Sequence, residues 1–300
     1  IINAKFCNGL LSDEEEIELL RGASAVIASG ERYPKNVLDS LPDLRVIARK
    51  GVGYDKVDVS VATSNRIVLT VTPNANHEAV SEQAMAFIFA VAKEITSRDK
   101  TVRSGQWIVD SLSPIRGSTL GIVGLGRIGR DLAVRAKAMK MNVLSTEPKP
   151  DIEFVKNNNI SLVELDELVT EVDYLSLNCP LTEETRGIIN MKIFNRMKSS
   201  SVLINTARGG LVVEKDLIEA LETKIIRAAG LDVFELEPID PGNPLLSMDN
   251  VVLSPHIAGT DIKSVEDMDS DAIMSVLELY QGRWPEDSII NNELKDGWQW

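Results

Sequence analysis

The chain has 300 residues, 44% of them hydrophobic and 26% charged, which is typical of a folded protein with about two domains. Its 45 acidic and 32 basic side chains give a net charge of −13, which disfavours nucleic acid as a main partner and gives no sign of membrane-surface binding. No apolar run approaches the ~20 residues that span a bilayer. The two cysteines, Cys7 and Cys179, make no disulfide framework, so we expect a cytoplasmic protein.

The first segment alternates short helices with short strands. Ser12 followed by Glu15 is a capping-box pattern that predicts a helix start. Apolar runs and turn residues then predict three strands and two helices, with strands at 25–28, 45–48 and 67–70 and helices at 35–41 and 57–64. This alternation is typical of a small parallel β/α domain. Its first strand is not visible in the loop-like opening residues.

A glycine loop, "RKGVGYD", follows the second of these strands. The amides of Val52 and Gly53 could hold a substrate carboxylate, or the loop could be a plain tight turn. Arg49 and Lys50 beside it could bind a second anion such as a phosphate, or be solvated charges. Asn76, further on, is either a substrate-facing amide or the N-cap of the next helix.

That next helix is predicted to run without interruption from about His77 to Arg103, between two β/α units. We interpret His77 as structural. The helix would lead into the stretch from Ser118 to Pro148, around which the chain is organised.

This stretch has the order strand, glycine turn, helix, strand. An apolar strand at 119–123 precedes Gly124, Gly126 and Gly129, which form a GxGxxG pattern. A helix at 127–140 and a strand at 141–145 follow. The order is that of a βαβ unit with the dinucleotide fingerprint in its first turn, although a glycine turn without a ligand stays the alternative.

Each part of the fingerprint suits a dinucleotide. Gly126 has no side chain to block a pyrophosphate, and the amides of Arg127 and Ile128 point at it from a helix N-terminus. Glu147 lies 18 residues beyond Gly129, where a carboxylate accepts hydrogen bonds from the ribose hydroxyls and repels a 2′-phosphate. The predicted cofactor is therefore NAD rather than NADP, and no metal site is predicted.

Further strands are predicted at 174–178, 202–205, 226–231 and 251–253, with a helix at 214–222. This rhythm predicts a doubly wound parallel sheet. A last helix at 263–279 would return to the first domain. The predicted division is a substrate domain, residues 1–76 with 261–300, and an NAD-binding domain, residues 77–260.

Polar side chains follow three of these strands. Arg208 comes after the strand at 202–205, and arginine is the best bidentate carboxylate binder. Asp232 ends the next strand, where it could accept from the nicotinamide carboxamide. His256 follows the last strand and is suited to proton transfer, and Glu237 could orient it. Each residue alone could be an ordinary loop residue, but the carboxyl ends of parallel strands are where such sites form.

The chain resembles the D-isomer-specific 2-hydroxyacid dehydrogenases, especially their phosphoglycerate dehydrogenase-like and hydroxypyruvate reductase-like members. The resemblance covers nearly the whole chain and rests on several motifs in the right order: "GVGYDKVD", "NHEAVSEQAMAF", "GLGRIG", "NCPLTEETRGIIN", "INTARGGLVVEKDLIEAL", "GLDVFELEP" and "PHIAG". It implies a Rossmann sheet inserted into a smaller flavodoxin-like β/α substrate domain, and a homodimer formed through the NAD-binding domains.

The resemblance also implies roles for individual residues. Arg208, Glu237 and His256 would be the catalytic set, with His256 exchanging the proton of the substrate hydroxyl. The cofactor-binding residues implied are Gly124, Gly126, Arg127, Ile128, Gly129, Glu147, Cys179, Pro180, Thr206, Ala207, Asp232 and Gly259. The substrate-binding residues implied are Val52, Gly53, Asn76 and Arg208, with Arg49 as a candidate. Two positions depart from the family pattern: the family often has Asp where this chain has Glu147, and commonly has His where this chain has Asn178.

Our leading hypothesis is an NAD-dependent oxidoreductase that interconverts a D-2-hydroxy acid and a 2-keto acid, with phosphoglycerate, glyoxylate and hydroxypyruvate as candidates. The alternative is an NAD-sensing binding protein of the same fold, like the corepressors, without significant turnover. A relative that acts on formate or phosphonate is a narrower alternative.

Overall fold

The computed structural model describes residues 11–300. The opening residues, in which the sequence shows no first strand, and Cys7 therefore lie outside the described residues. The described residues divide into a smaller unit, 11–76 with Asp261–Trp300, and a larger unit, His77–Thr260.

The helices and strands alternate along the described chain. The helices are α1 Asp13–Leu20, α2 Lys35–Asp39, α3 Val59–Ser64, α4 His77–Ala92, α5 Ile95–Arg103, α6 Arg127–Ala138, α7 Ile152–Asn157, α8 Leu165–Glu171, α9 Met191–Phe194, α10 Glu214–Glu222 and α11 Ile262–Tyr280. The strands are β1 Ala25–Ala28, β2 Val46–Arg49, β3 Val68–Thr70, β4 Thr119–Val123, β5 Asn142–Thr146, β6 Ser161–Leu162, β7 Tyr174–Leu177, β8 Val202–Asn205, β9 Ala228–Leu231 and β10 Val251–Leu253. No helix in the described part of the chain is long and apolar enough to cross a membrane.

The smaller unit contains a parallel sheet in the order β1–β2–β3. Its middle strand β2 is buried on both faces, as parallel strands are when helices cover the sheet. Val46 and Ala48 pack with residues of α11, and Ile47 packs on the opposite face. The predicted return of the last helix to this unit is confirmed. The predicted capping box is confirmed as well, since Ser12 and Glu15 each accept a hydrogen bond from the other's backbone N–H.

The larger unit contains a seven-stranded parallel sheet in the order β10–β9–β8–β7–β4–β5–β6. The order reverses between β4 and β7, which is where ligands bind in a doubly wound sheet. Buried apolar side chains cover both faces of this sheet. The predicted α/β class with a doubly wound parallel sheet is confirmed, whereas the flavodoxin-like topology of the smaller unit stays a prediction.

The prediction of one uninterrupted helix from His77 to Arg103 is wrong. The structure has two helices, α4 and α5, and Glu94 between them has φ = 51°, in the left-handed region. The residues on either side of Glu94 favour a helix, and no glycine or proline lies at the break. The buried face of α4 includes Phe87 and Ile88, which belong to the core of the larger unit, whereas no residue of α5 is buried.

Candidate active site

The turn after β4 is shaped by close backbone contacts and an open space. Gly124 has φ = 97°, and a Cβ atom there would lie 2.7 Å from the Cys179 backbone nitrogen. A Cβ at Gly129 would lie 2.2 Å from the Gly124 carbonyl oxygen, so α6 packs tightly against the turn. A Cβ at Gly126 would meet nothing within 4 Å. The N-terminus of α6 therefore faces open space, as a pyrophosphate site requires.

The carboxylate of Glu147 lies at this turn. Its Oε2 accepts from the backbone N–H of Leu125 at 2.9 Å, and its Oε1 accepts from that of Lys149 at 3.1 Å. The neighbouring Cys179 thiol is largely buried, and burial, helped by the charge of Glu147, raises its pKa to about 11. The thiol is therefore un-ionised at neutral pH. The contact of Glu147 with a ribose stays a prediction.

Two buried polar atoms at the carboxyl edge of the sheet have no hydrogen-bond partner. One is Oγ1 of Thr206, which follows β8, and the other is Nδ2 of Asn178, which follows β7. A buried polar group without a partner costs about 1–3 kcal/mol, so such atoms indicate a place for a polar ligand. Together with the open space at Gly126, they show that the strand ends fit a dinucleotide.

The loop after β8 holds Arg208 by its backbone. Asn205 Nδ2 donates to the Arg208 carbonyl oxygen at 2.9 Å, and Asn205 Oδ1 accepts from the Ala207 N–H at 3.1 Å. A Cβ on the next residue, Gly209, would lie 2.0 Å from the carbonyl carbon of Phe234. The loop that carries Arg208 thus packs directly on the backbone that leads to Glu237, an approach only glycine allows.

Glu237 and His256 form the predicted pair. The distance between Glu237 Oε2 and His256 Nδ1 is 2.7 Å, and Glu237 Oε1 accepts from the backbone N–H of Phe234 at 3.1 Å. Because a carboxylate only accepts hydrogen bonds, Nδ1 carries the hydrogen in the neutral ring and Nε2 is left to exchange a proton. The His256 side chain is 42% exposed, so a reactant can reach it. The predicted hydrogen bond is confirmed.

His256 sits on a strained backbone that Asp232 holds. Its φ is 55°, a conformation that costs a non-glycine residue about 1–2 kcal/mol. The Asp232 carbonyl oxygen accepts from the His256 N–H at 2.7 Å, and its buried carboxylate accepts from the N–H groups of Ile257 and Ala258 at 2.9 and 2.8 Å. Asp232 thus anchors the loop of His256. Its contact with a carboxamide stays a prediction.

The larger unit therefore brings together most of the predicted site. Strands β8, β9 and β10 are neighbours in the sheet, and their carboxyl ends carry Thr206, Ala207, Arg208, Asp232, Glu237 and His256. Two residues next to this set were not predicted, Ser254 and Gln83. Ser254 contacts the Asp232 carboxylate and Gln83 contacts Ser254. A glutamine in the middle of an apolar helix gives no sequence signal for such a contact.

The predicted substrate residues Arg49, Val52, Gly53 and Asn76 belong to the smaller unit. Arg49 is 7% exposed, with Nε donating to the Gly53 carbonyl oxygen at 3.2 Å and Nη1 to that of Glu31 at 3.3 Å. The alternative of a solvated charge is therefore wrong for Arg49, which braces the glycine loop. Buried Asn76 Oδ1 has no hydrogen-bond partner, so it does not cap the following helix.

Lys50, next to Arg49, is paired with a carboxylate. Its ammonium forms an ion pair with Asp269 of α11. Both cations beside the glycine loop are thus engaged within the smaller unit, and neither contact favours a second-anion site.

The geometry of the larger unit agrees with comparisons to known proteins. The family model for the NAD-binding domain of D-isomer specific 2-hydroxyacid dehydrogenases matches residues 85–258. The chain therefore belongs to this family, and the predicted family and NAD cofactor are confirmed.

Individual relatives carry different substrate names. The chain is 38% identical over 253 residues to D-3-phosphoglycerate dehydrogenase of Archaeoglobus fulgidus, covering 83% of this chain and 48% of the relative. It is 38% identical over 265 residues to glyoxylate reductase of Korarchaeum cryptofilum, covering 86% and 79%. The chain thus spans about half the length of the first relative.

Among solved structures, D-lactate dehydrogenase of Aquifex aeolicus complexed with NAD and lactic acid superposes with a TM-score of 0.86. It is 28% identical in sequence, and the match covers 93% of this chain and 89% of that one. The matched residues therefore include parts of both units.

Proposed function

We propose that this chain is an NAD-dependent dehydrogenase that interconverts a D-2-hydroxy acid and a 2-keto acid. The observation that supports it most is the bond of 2.7 Å between Glu237 and His256, beside the strand end that carries Arg208. In such a reaction the base must be oriented and the substrate carboxylate must meet a cation.

Each residue has a defined task in the reductive direction. NADH, when bound, supplies the hydride that reduces the C2 carbonyl. His256 donates the proton from Nε2 to the carbonyl oxygen, and Glu237 holds Nδ1 so that the ring keeps one orientation. The charge on the imidazolium before transfer is stabilised by the Glu237 carboxylate. Arg208 binds the substrate carboxylate and draws electron density from the carbonyl.

The cofactor would lie along the residues that fit a dinucleotide. Gly126 leaves space for the pyrophosphate at the turn that Gly124 and Gly129 allow to pack closely, and the amides of Arg127 and Ile128 would bind it. The adenosine end would meet Glu147, Cys179 and Pro180. Thr206, Ala207, Asp232 and Gly259 would line the nicotinamide end. Glu147 supports a preference for NAD over NADP because its carboxylate would repel a 2′-phosphate.

For the substrate we propose a small unphosphorylated acid such as glyoxylate or hydroxypyruvate. This is supported by the engagement of Arg49 with two carbonyl oxygens and of Lys50 with Asp269. Val52, Gly53 and Asn76 stay proposed substrate-binding residues on the family resemblance.

The test follows NADH absorbance with purified chain and a panel of glyoxylate, hydroxypyruvate, phosphohydroxypyruvate and pyruvate. We expect the highest kcat/KM for an unphosphorylated acid, and a lower rate with NADPH. A clear preference for the phosphorylated acid would contradict the substrate proposal. NAD binding without turnover of any acid would favour the alternative of an NAD-sensing binding protein.

We also propose that the protein acts in the cytoplasm as a homodimer formed through the larger unit. The cysteine usage supports the location. The segment 104–114 is exposed throughout and carries Trp107, Ile108, Val109 and Leu112, with Trp107 82% exposed. Clustered apolar side chains of this kind mark an association surface.

Light scattering tests the homodimer. It should give twice the chain mass for wild type and for the control Ile262→Ser, and the mass of a single chain for the double variant Trp107→Ser/Val109→Ser. A monomeric wild type would contradict the proposal.

A further inference from the structure

Asp232 depends on a third group to keep its carboxylate in place. Ser254 follows β10, its backbone N–H donates to the Leu231 carbonyl oxygen at 3.0 Å, and its hydroxyl donates to Asp232 Oδ1 in a short hydrogen bond. Since a carboxylate can only accept, the hydroxyl hydrogen is committed to Asp232. The serine oxygen is then free to accept.

A glutamine from α4 supplies the donor. Gln83 Nε2 lies 3.4 Å from Ser254 Oγ. The hydrogen bonds therefore run in one direction, from Gln83 through Ser254 to the Asp232 carboxylate. From the other side, the same carboxylate accepts from the backbone N–H groups of Ile257 and Ala258. Gln83 and Ser254 are 171 residues apart in the chain.

The position of His256 depends on this series of bonds. Its left-handed backbone is held by the residues on both sides, and two of the holding bonds end on the Asp232 carboxylate. If the carboxylate rotates, the loop can relax toward a less strained conformation. The imidazole would then leave the geometry in which Glu237 meets Nδ1.

We propose that Ser254, supported by Gln83, is a positioning residue that sets the imidazole of His256 through Asp232. Ser254 acts on the catalytic step without contacting the reacting atoms. The kinetic side of this inference rests on the proposed function, whereas the structural side does not.

The kinetic test compares three serine variants. Ser254→Ala removes the hydroxyl, and Ser254→Thr keeps it. Ser201→Ala is the control, because the Ser201 hydroxyl, which is even more buried than that of Ser254, also donates one hydrogen bond, to the Val172 carbonyl oxygen at 2.8 Å. Ser201 directly precedes β8 and therefore lies at the opposite edge of the sheet. We expect about a tenfold lower kcat for Ser254→Ala with KM changed less than about twofold, the loss expected from one hydrogen bond. Ser254→Thr and Ser201→Ala should keep kcat within about twofold of wild type.

The second readout does not need activity. The chain has two histidines, His77 and His256, so a histidine-labelled sample gives two sets of imidazole NMR signals, and His77→Ala assigns them. We expect Ser254→Ala to shift or broaden the His256 signals and leave those of His77 in place. Gln83→Leu should shift the His256 signals in the same direction by less, and this variant carries the test if Ser254→Ala fails to fold.

The outcomes separate the two proposals. If wild type turns over no acid, the proposed function fails and the NMR comparison alone decides the positioning role. Unchanged His256 signals in both Ser254→Ala and Gln83→Leu would overturn that role. An equal loss of kcat in Ser254→Ala and Ser201→Ala would overturn it too, since it would show a general effect of losing a buried hydroxyl.

Discussion

Two loops that follow parallel strands are held in opposite ways. Arg49, the last residue of β2, braces the loop that follows it in the smaller unit, and the loop after β10 in the larger unit carries His256. Each contains a residue with positive φ, Gly51 at 124° and His256 at 55°. Arg49 turns inward and donates to backbone carbonyls, whereas His256 has its backbone held by Asp232.

The difference shows what frees a side chain for chemistry. Arg49 is itself the brace of its loop, so its Nε and Nη1 are engaged with backbone carbonyl oxygens. In the other loop a separate buried group, Asp232, supplies the bracing, and the imidazole is left with one partner at Nδ1 and an open Nε2. Arg49 and His256 both lie at or after the end of a strand, and both are residue types suited to a functional site. They differ in which residue supplies the hydrogen bonds that hold the loop: Arg49 itself in one, and Asp232 in the other.

The largest effect is expected when the free side chain is removed. His256→Ala should lower kcat by about 100- to 10,000-fold, because the proton donor is lost. His77→Ala, the matched control, should keep kcat within a few-fold of wild type. Steady-state kinetics with the best acid of the panel measures both, and equal losses in the two variants would contradict the distinction between the loops.

Two glycine variants test the packing behind the site. Gly209→Ala places a Cβ 2.0 Å from Phe234 backbone, and overpacking of this kind should cost about 1–3 kcal/mol of stability and separate Arg208 from Glu237. Gly126→Ala meets no atom within 4 Å, so the melting temperature should stay the same while the Kd for NAD rises. Calorimetry and fluorescence titration measure the two effects. A stable Gly209→Ala variant with normal kcat would contradict the close approach.

The brace itself is tested in the smaller unit. Arg49→Met removes two hydrogen bonds and leaves two half-buried carbonyl oxygens without these donors, which should cost about 1–3 kcal/mol of unfolding free energy. If Arg49 acts only as a brace, kcat/KM for phosphorylated and unphosphorylated acids should fall by the same factor. A selective loss with the phosphorylated acid would show that Arg49 also binds the substrate.

The smallest effect concerns pH and Glu16 of α1, which is buried and hydrogen-bonded to Tyr33. Burial raises the pKa of Glu16 above its ordinary value, so the folded state holds this proton more tightly than the unfolded state. The stability due to the proton is present at low pH and is lost as pH rises through the raised pKa.

Glu16→Gln should therefore raise the melting temperature by about 2 °C at pH 7, and the gain should vanish below about pH 4. Glu14→Gln on the exposed side of the same helix is the control. A gain that persists at low pH would show that the charge of Glu16 is not its cause.

Much of the larger unit follows from local sequence signals. Strands β4, β8 and β10 and helix α10 begin and end where predicted, because apolar runs meet glycine, asparagine or charged residues there. The break at Glu94 could not be predicted, since helix-forming residues surround it. The brace at Arg49 depends on backbone carbonyls, and Gln83 reaches Ser254 across 171 residues, so neither contact leaves a local pattern.

The most direct test of the central claim is the handedness of the product. The chain is given NADH and a prochiral 2-keto acid such as hydroxypyruvate, and the 2-hydroxy acid is separated on a chiral column. We expect the D-enantiomer alone from wild type, and at least 100-fold less of it from His256→Ala. Formation of the L-enantiomer, or an undiminished yield from the variant, would contradict it.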